Sequence, residues 1–460
     1  MLNKIKILLV SAALIITSVL LVSCTNANPV YINGVSTSDF SIVYSDEDYD
    51  YSKRAAEYIQ SQIESITGEK IPMIEDSEAA VSEYEIVVGE TSRDISARLD
   101  ADCEGVQFAI LAEEKQIALE GEKFVIAAAA YYFISEYVPE AGAKTTVPAG
   151  VSVHDPIVKE AKNFILLIGD GMGYYQTKMF DYMEDNTDFS DGEDEFYGYM
   201  LPYQGFSRTD SLSGTTDSAA GGTALATGYK TINGYIGMDQ NTNDVMSLTE
   251  LAISKNMGAA VMSTESSKGA TPASFSAHNI SRDNSDDILD DQFILEYTYG
   301  VAFTCNFNQY TALGIETIER RIMKTLDAID DKDAGLFLMY EEAHIDKRSH
   351  DNDAETTYQS VIRFNQAIAR FMEFAFYNPD TFVLITADHE TGDLRPEEDG
   401  SLAYHRDGHS SADVPVFAYG MGAELFDGKT VENVQIAQTI AALMGEDNFG
   451  DQSIYQSLTK

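Results

Sequence analysis

Asn163-Phe164-Ile165-Leu166-Leu167-Ile168-Gly169-Asp170-Gly171-Met172-Gly173 reads as a strand buried on both faces that runs straight into an acidic glycine turn. Consecutive apolar residues without polar alternation need cover from both sides, as strands of parallel sheets have. The same texture returns at Gly258–Met262, Gly335–Met339, Thr381–Thr386 and Val414–Tyr419, accompanied by amphipathic stretches at Glu316–Ile329, Ala354–Phe376 and Val434–Met444. This alternation predicts an α/β domain over residues 156–460, doubly wound on a mostly parallel central sheet with helices on both faces. In such sheets ligands sit at the carboxyl ends of the strands.

Three of those strands run into carboxylates. Asp170 follows the first; Glu341, Glu342, His344, Asp346 and His350 follow Leu336–Tyr340; Asp388, His389 and Glu390 follow Phe382–Thr386. A fourth segment, Gly408-His409, comes just before Val414–Tyr419. Taken singly, an Asp after a strand is a helix cap and a lone His is structural. Converging on one sheet edge, buried carboxylates would repel one another unless cations neutralised them. A mixed Asp/His set suits zinc, and an all-oxygen set suits magnesium.

The nucleophile candidate is Ser218, in Thr216-Asp217-Ser218-Ala219-Ala220-Gly221-Gly222-Thr223. Small residues here make a tight helix start, so Ser218 is expected at the positive end of a helix dipole, facing an anion. No His stands near it in sequence as a base; a metal lowering its pKa serves instead.

These segments resemble the alkaline phosphatase family in their order and over most of the chain, from about Asn163 to Gly445. The matching motifs are Asp170-Gly-Met-Gly173, Asp217-Ser-Ala-Ala220, Lys230-Thr-Ile-Asn-Gly234, Ala270-Thr-Pro-Ala273, Glu341 with Ile345-Asp346 and His350, Thr386-Ala-Asp-His389, and Gly408-His409. The resemblance implies hydrolysis of small phosphate monoesters through a phosphoserine, at a site of two Zn2+ and one Mg2+. Asp346, His350 and His409 would hold the first zinc; Asp170, Asp388, His389 and the Ser218 oxygen the second. Asp170, Thr271 and Glu341 would hold the magnesium. Arg282 matches the arginine that grips phosphate, its planar fork suited to two oxygens. Gly269, two before Thr271, departs from the Asp or His of well-studied members. Lys347 is a residue some bacterial members carry, and would add positive charge near the phosphate. His389 and His409 are close in sequence, which implies an open site with little leaving-group selectivity. His154, His278, His344 and His405 are expected to be structural.

Ahead of this domain, residues 36–155 read as a small α/β accessory unit. Strands are expected at Phe40–Tyr44, Glu85–Gly89, Phe108–Ala112 and Gln116–Gly121, and helices at Tyr51–Ile66 and Phe124–Tyr137. It faintly resembles accessory domains found beside carbohydrate-active enzymes, which would imply carbohydrate or cell-wall contact. Lys4 and Lys6 precede the apolar run Ile7–Val22, which is shaped as a secretory signal (residues 1–23) and is too short to be a comfortable membrane span. Leu21-Val-Ser-Cys24 resembles the lipobox of bacterial lipoproteins. Cys24 would be lipidated, with 24–35 a tether, and the protein exported and membrane-anchored outside the cytoplasm. Cys103 and Cys305, expected in different domains, read as two buried thiols.

The composition has 75 Asp+Glu against 30 Lys+Arg, a net charge of −45, with an ordinary 44% hydrophobic content. That argues for a globular protein and against groove binding of nucleic acid, whose phosphates need a basic surplus. Asp181–Glu195 reads as a solvated acidic loop. Family members are often dimers, so a homodimer is a further expectation. The competing readings are a phosphodiester or sulfate-ester hydrolase of the same superfamily, and a non-catalytic surface lipoprotein. Ser218 together with Glu341 favours the monoesterase over the first, and nine ligand-type residues favour an enzyme over the second.

Overall fold

The computed structural model describes residues 28–48, 50–78, 81–99, 101–183, 195–306, 314–330 and 332–459. The signal segment, Cys24 and most of the acidic loop lie outside the described residues. The chain divides into two compact units, one comprising residues up to Ala101 with Ala109–His154, the other Asp102–Phe108 with Asp155–Lys460.

The smaller unit is a six-stranded sheet with two main helices. In chain order these are β1 (Ser41–Tyr44), α1 (Tyr51–Thr67), β2 (Met73–Glu75), β3 (Glu85–Val88), β4 (Phe108–Ala112), β5 (Gln116–Gly121), α2 (Ile126–Tyr137) and β6 (Gly150–His154). The strand order is β2-β1-β3-β5-β4-β6, and β1 runs parallel to both β2 and β3. α1 buries Ala55, Ala56, Ile59 and Ile63, the helical stripe its spacing predicts, and ends where Gly68 turns left-handed.

The larger unit carries an eight-stranded sheet ordered β10-β9-β11-β7-β12-β13-β8-β14. Its strands are β7 (Asn163–Gly169), β8 (Tyr203–Arg208), β9 (Gly258–Ser263), β10 (Ala302–Cys305), β11 (Leu336–Glu342), β12 (Thr381–Thr386), β13 (Val414–Tyr419) and β14 (Thr430–Glu432). β7, β9, β11 and β12 are parallel and buried throughout, as their unbroken apolar runs require. The helices that matter to the site are α3 (Ser218–Thr227), α4 (Ala270–Ser274), α5 (Ser285–Tyr299), α6 (His344–His350) and α7 (Ala354–Tyr377). Under the sheet, Phe164, Leu166, Ile168, Phe337, Met339, Phe382 and Leu384 join one apolar core.

β13 runs antiparallel to β12, pairing Ile385 with Phe417 and Val383 with Tyr419. That direction has a consequence for the site. A residue just before a parallel strand would lie at the far edge; before an antiparallel strand it lies where the parallel neighbours end. His409 therefore reaches the same edge as Asp170, Glu341 and Asp388.

Neither Cys103 nor Cys305 is in a disulfide, and both are half-buried rather than buried. Both fall in the larger unit, because Asp102–Phe108 packs with it, which corrects the expectation of separate domains.

Candidate functional site

Close approach of backbone builds the site. Gly171 has φ +73°, and a Cβ there would stand 2.8 Å from Asp346 Cα and from Thr391 Oγ1, so the turn after β7 admits only glycine. On α3, a Cβ at Gly221 would meet the Asp388 carbonyl at 2.8 Å, and one at Gly222 the Thr271 Cα at 3.2 Å. The small residues after Ser218 thus let α3 wedge between the end of β12 and the start of α4.

Ser218 is the first residue of α3, and its cap is Asp217, whose Oδ1 accepts from Ala220 N–H at 3.0 Å. The cap duty falls to the aspartate, leaving the buried Ser218 Oγ turned to His389 Nε2 at 3.2 Å. Asp217 also accepts from Gly234 N–H, and its Oδ2 lies 3.3 Å from a terminal nitrogen of Arg282. Sequence reasoning gave Asp217 no role in holding Arg282. Its capping position was a local signal, but the arginine it steers is remote in sequence.

Three imidazoles are set by what their far nitrogens touch. His350 Nδ1 donates to the Asp407 carbonyl at 2.6 Å and His409 Nδ1 to the Thr216 carbonyl at 2.8 Å. A carbonyl only accepts, so in the neutral rings both Nε2 atoms carry lone pairs. Yet those two Nε2 atoms are 3.1 Å apart, with Asp346 Oδ1 at 3.4 and 3.6 Å from them. In that tautomer three acceptors face one another, a donor set that suits a cation by its chemistry. Thr391 Oγ1 donates to Asp346 and so accepts from His389 Nδ1, 3.2 Å away. That leaves the His389 Nε2 lone pair facing Ser218 Oγ, Asp388 Oδ2 at 3.3 Å and Asp170 Oδ1 at 3.6 Å. Burial and the neighbouring His409 push the His389 pKa down to about 3, so the ring is neutral.

The carboxylates show the same deficit of positive charge. Burial, then Asp388, Asp346 and Glu341, hold the Asp170 carboxyl well above the usual range. Burial and Asp346 raise Asp388. Burial also raises Glu341, although Ser263 donates to it. Asp170 Oδ1, Asp388 Oδ2 and Thr271 Oγ1 are buried without a hydrogen bond of normal geometry, while the Thr271 hydroxyl lies near enough to Glu341 to favour its charged form. Donors fall into two groups close enough to share an ion, Asp346 with His350 and His409, and Asp170 with Asp346 and His389. The residues present therefore fit divalent metals. Asp346 stands between the two groups; Asp388 joins the second through its contact with His389.

Lys347, one position after Asp346, pairs with Glu265 at 2.6 Å, a residue the sequence reading did not single out. The remaining histidines have structural partners. His278 spans Glu250 and the Gly237 carbonyl, His344 lies against Glu342 and Thr264, His405 pairs with Glu397, and His154 packs on Tyr132.

The sequence profile of the alkaline phosphatase family matches residues 161–296 and 315–405, a span that holds every candidate site residue of this domain except His409. Alkaline phosphatase 4 of Bacillus subtilis (strain 168) is 29% identical over 333 residues, covering 60% of this chain and 71% of the relative. Alkaline phosphatase 3 of the same organism is 30% identical over 328 residues, covering 59% and 70%. Among solved structures, alkaline phosphatase from the Antarctic bacterium TAB5 superposes with a TM-score of 0.56 at 25% identity, over 63% of this chain and all of that one. A variant of that enzyme, one histidine replaced by glutamate, is described with Mg bound in its M3 site.

Proposed function

Because the chain belongs to the alkaline phosphatase family, and is a phosphatase by that membership, we propose that it hydrolyses phosphate monoesters through a phosphoserine on Ser218 at a site for two zinc ions and one magnesium. The observation that carries this reading is the set of facing acceptors, Asp346, His350 and His409 on one side and Asp170, Asp388 and His389 around Ser218 on the other. The first three would hold one zinc. Asp170, Asp388, His389 and Ser218 Oγ would hold the second, and Asp170, Thr271 and Glu341 the magnesium. Bound there, divalent metals supply the positive charge that favours the Ser218 alkoxide and the departing oxygen.

The chain's own groups do the rest. Ser218 Oγ, its proton released to solvent, forms a bond to phosphorus in line as the ester P–O bond breaks, and the alcohol leaves with a proton from solvent. Asp217 holds Arg282 so that its planar fork can take two non-bridging oxygens of the phosphoryl group. Water, giving up a proton, then forms the new P–O bond from the opposite side as the P–Oγ bond breaks, and Ser218 Oγ leaves and is reprotonated. Two inversions retain configuration at phosphorus. Lys347 would add charge near the phosphate. Cys24 would carry a lipid that anchors the exported protein; Cys24→Ala should move it from the membrane fraction to the medium.

The test is Ser218→Ala. Monoester turnover should fall by at least about 10³-fold, with no phosphoenzyme trapped after acid quench and metal content near normal, since Asp170, Asp388 and His389 remain for the second zinc. A covalent phosphoenzyme surviving in S218A would overturn the assignment. Wild-type turnover of a diester exceeding that of a monoester with the same leaving group would make it a diesterase instead.

A further inference from the structure

Gly269 leaves a place in the wall of the proposed magnesium site without a side chain, and the fold fills it from elsewhere. Gly269 caps α4 with φ −55° and ψ 151°, ordinary extended backbone, so its lack of a side chain is not demanded by conformation. A Cβ built on it would lie 3.1 Å from the Ser266 carbonyl oxygen, which has to give by a few tenths of an ångström, and 3.4 Å from Cδ and 3.5 Å from Cγ of Glu265. The Glu265 side chain thus borders the room that an acidic side chain at 269 would enter.

Glu265 is tied to the site on two sides. Its N–H donates to Ser263 Oγ at 2.9 Å, and that hydroxyl donates to Glu341. Its own Oε2 lies 2.6 Å from Lys347 Nζ, next in sequence to Asp346. The Lys347 and Glu265 side chains are 43% and 31% exposed, and ion pairs so exposed contribute only about 0–1 kcal/mol. Stability is a weak reason to keep this pair next to the Ser263–Glu341 hydrogen bond; a role at the neighbouring site is a stronger one.

We propose that Glu265 is a positioning residue that replaces the missing side chain at 269, completing the outer shell of the magnesium site and holding the Lys347 ammonium beside it. This rests on the three-metal reading above. Outer-shell acids of metal sites typically matter by about 10–100-fold in affinity.

The test uses the full zinc-loaded protein and calorimetric titration with MgCl2, with zinc content measured on the same samples. Glu265→Gln should weaken magnesium binding about 10–100-fold while zinc content stays at the wild-type value. In the double variant Glu265→Ala with Gly269→Asp, an acid returns to the same space on a capping position that accepts Asp. It should regain magnesium affinity to within about threefold of wild type, against the 10–100-fold loss expected of the single variant. Wild-type affinity in E265Q, or a double variant no better than Glu265→Ala alone, overturns this inference and leaves the three-metal reading standing. A wild-type protein that takes up no magnesium removes that reading and this inference with it.

Discussion

In the smaller unit Glu85 is fully buried at the start of β3, and Arg93 meets it at 3.2 Å while reaching Asp76 at the same distance. Ser82 N–H and Gln116 Nε2 satisfy the rest of that carboxylate. At the edge of the larger sheet Asp170, Glu341 and Asp388 are buried just as deeply, and no Lys or Arg is paired with any of them among the described residues. The contrast repeats within one strand. Burial acts on Glu342 too, but Arg363 at 3.6 Å and His344 at 3.3 Å bring its carboxyl below the usual range, while Glu341 beside it is raised. Where a buried acid is structural, the chain supplies its own cation. Where it withholds one, the counter-charge comes from outside, and three such acids beside three imidazoles suit divalent metal.

Two substitutions separate these cases by sign. Arg93→Ala strands Glu85 in the core and should cost about 3–5 kcal/mol in denaturant unfolding. Asp388→Asn, made in the metal-free protein, keeps an oxygen to accept from the Gly171 and His389 N–H groups while removing a buried charge that Asp346 repels, and should stabilise it by about 1–3 kcal/mol at neutral pH or above. A destabilised metal-free D388N would mean the chain already balances that carboxylate.

A smaller effect follows from pH. A carboxyl raised in the folded state holds its proton more tightly there than in the unfolded chain. Its contribution is present at low pH and is lost as pH climbs from about 4 through the raised folded value. Asp170, Asp388 and Glu341 all shift this way. Melting of the metal-free protein should therefore fall between pH 5 and pH 9, by a few degrees on the order expected for a unit of this size. Metal, which keeps those acids ionised at no electrostatic cost, should flatten the slope. Parallel slopes with and without metal would dissolve the contrast between the two regions.

Legibility in the sequence tracked burial. The strands β7, β9, β11 and β12 announce themselves because both faces are covered and no polar residue interrupts them. β8 contains Gln204 and Ser207 and is largely half-exposed, and β10 and β14 are short, so none shows that texture. The antiparallel sense of β13 has no local signal at all, because direction is set by pairing. Strand-end acids and histidines could be picked out as a group for the same reason the strands could. What stayed hidden were partners far apart in the chain, Asp217 for Arg282 and Glu265 for Lys347. Gly269 was visible as a missing side chain, but the residue that fills its space was not.

The central claim is that the uncompensated acids and imidazoles around Ser218 are a metal centre for monoester hydrolysis. One sample, assayed for metal content and monoester turnover before chelation, after it, and after zinc and magnesium are restored, tests that most directly. The account predicts two zinc and one magnesium per chain, loss of turnover with the metals, and its return with them. Undiminished turnover by the metal-free protein, or an inactive protein with the metals in place, would contradict it.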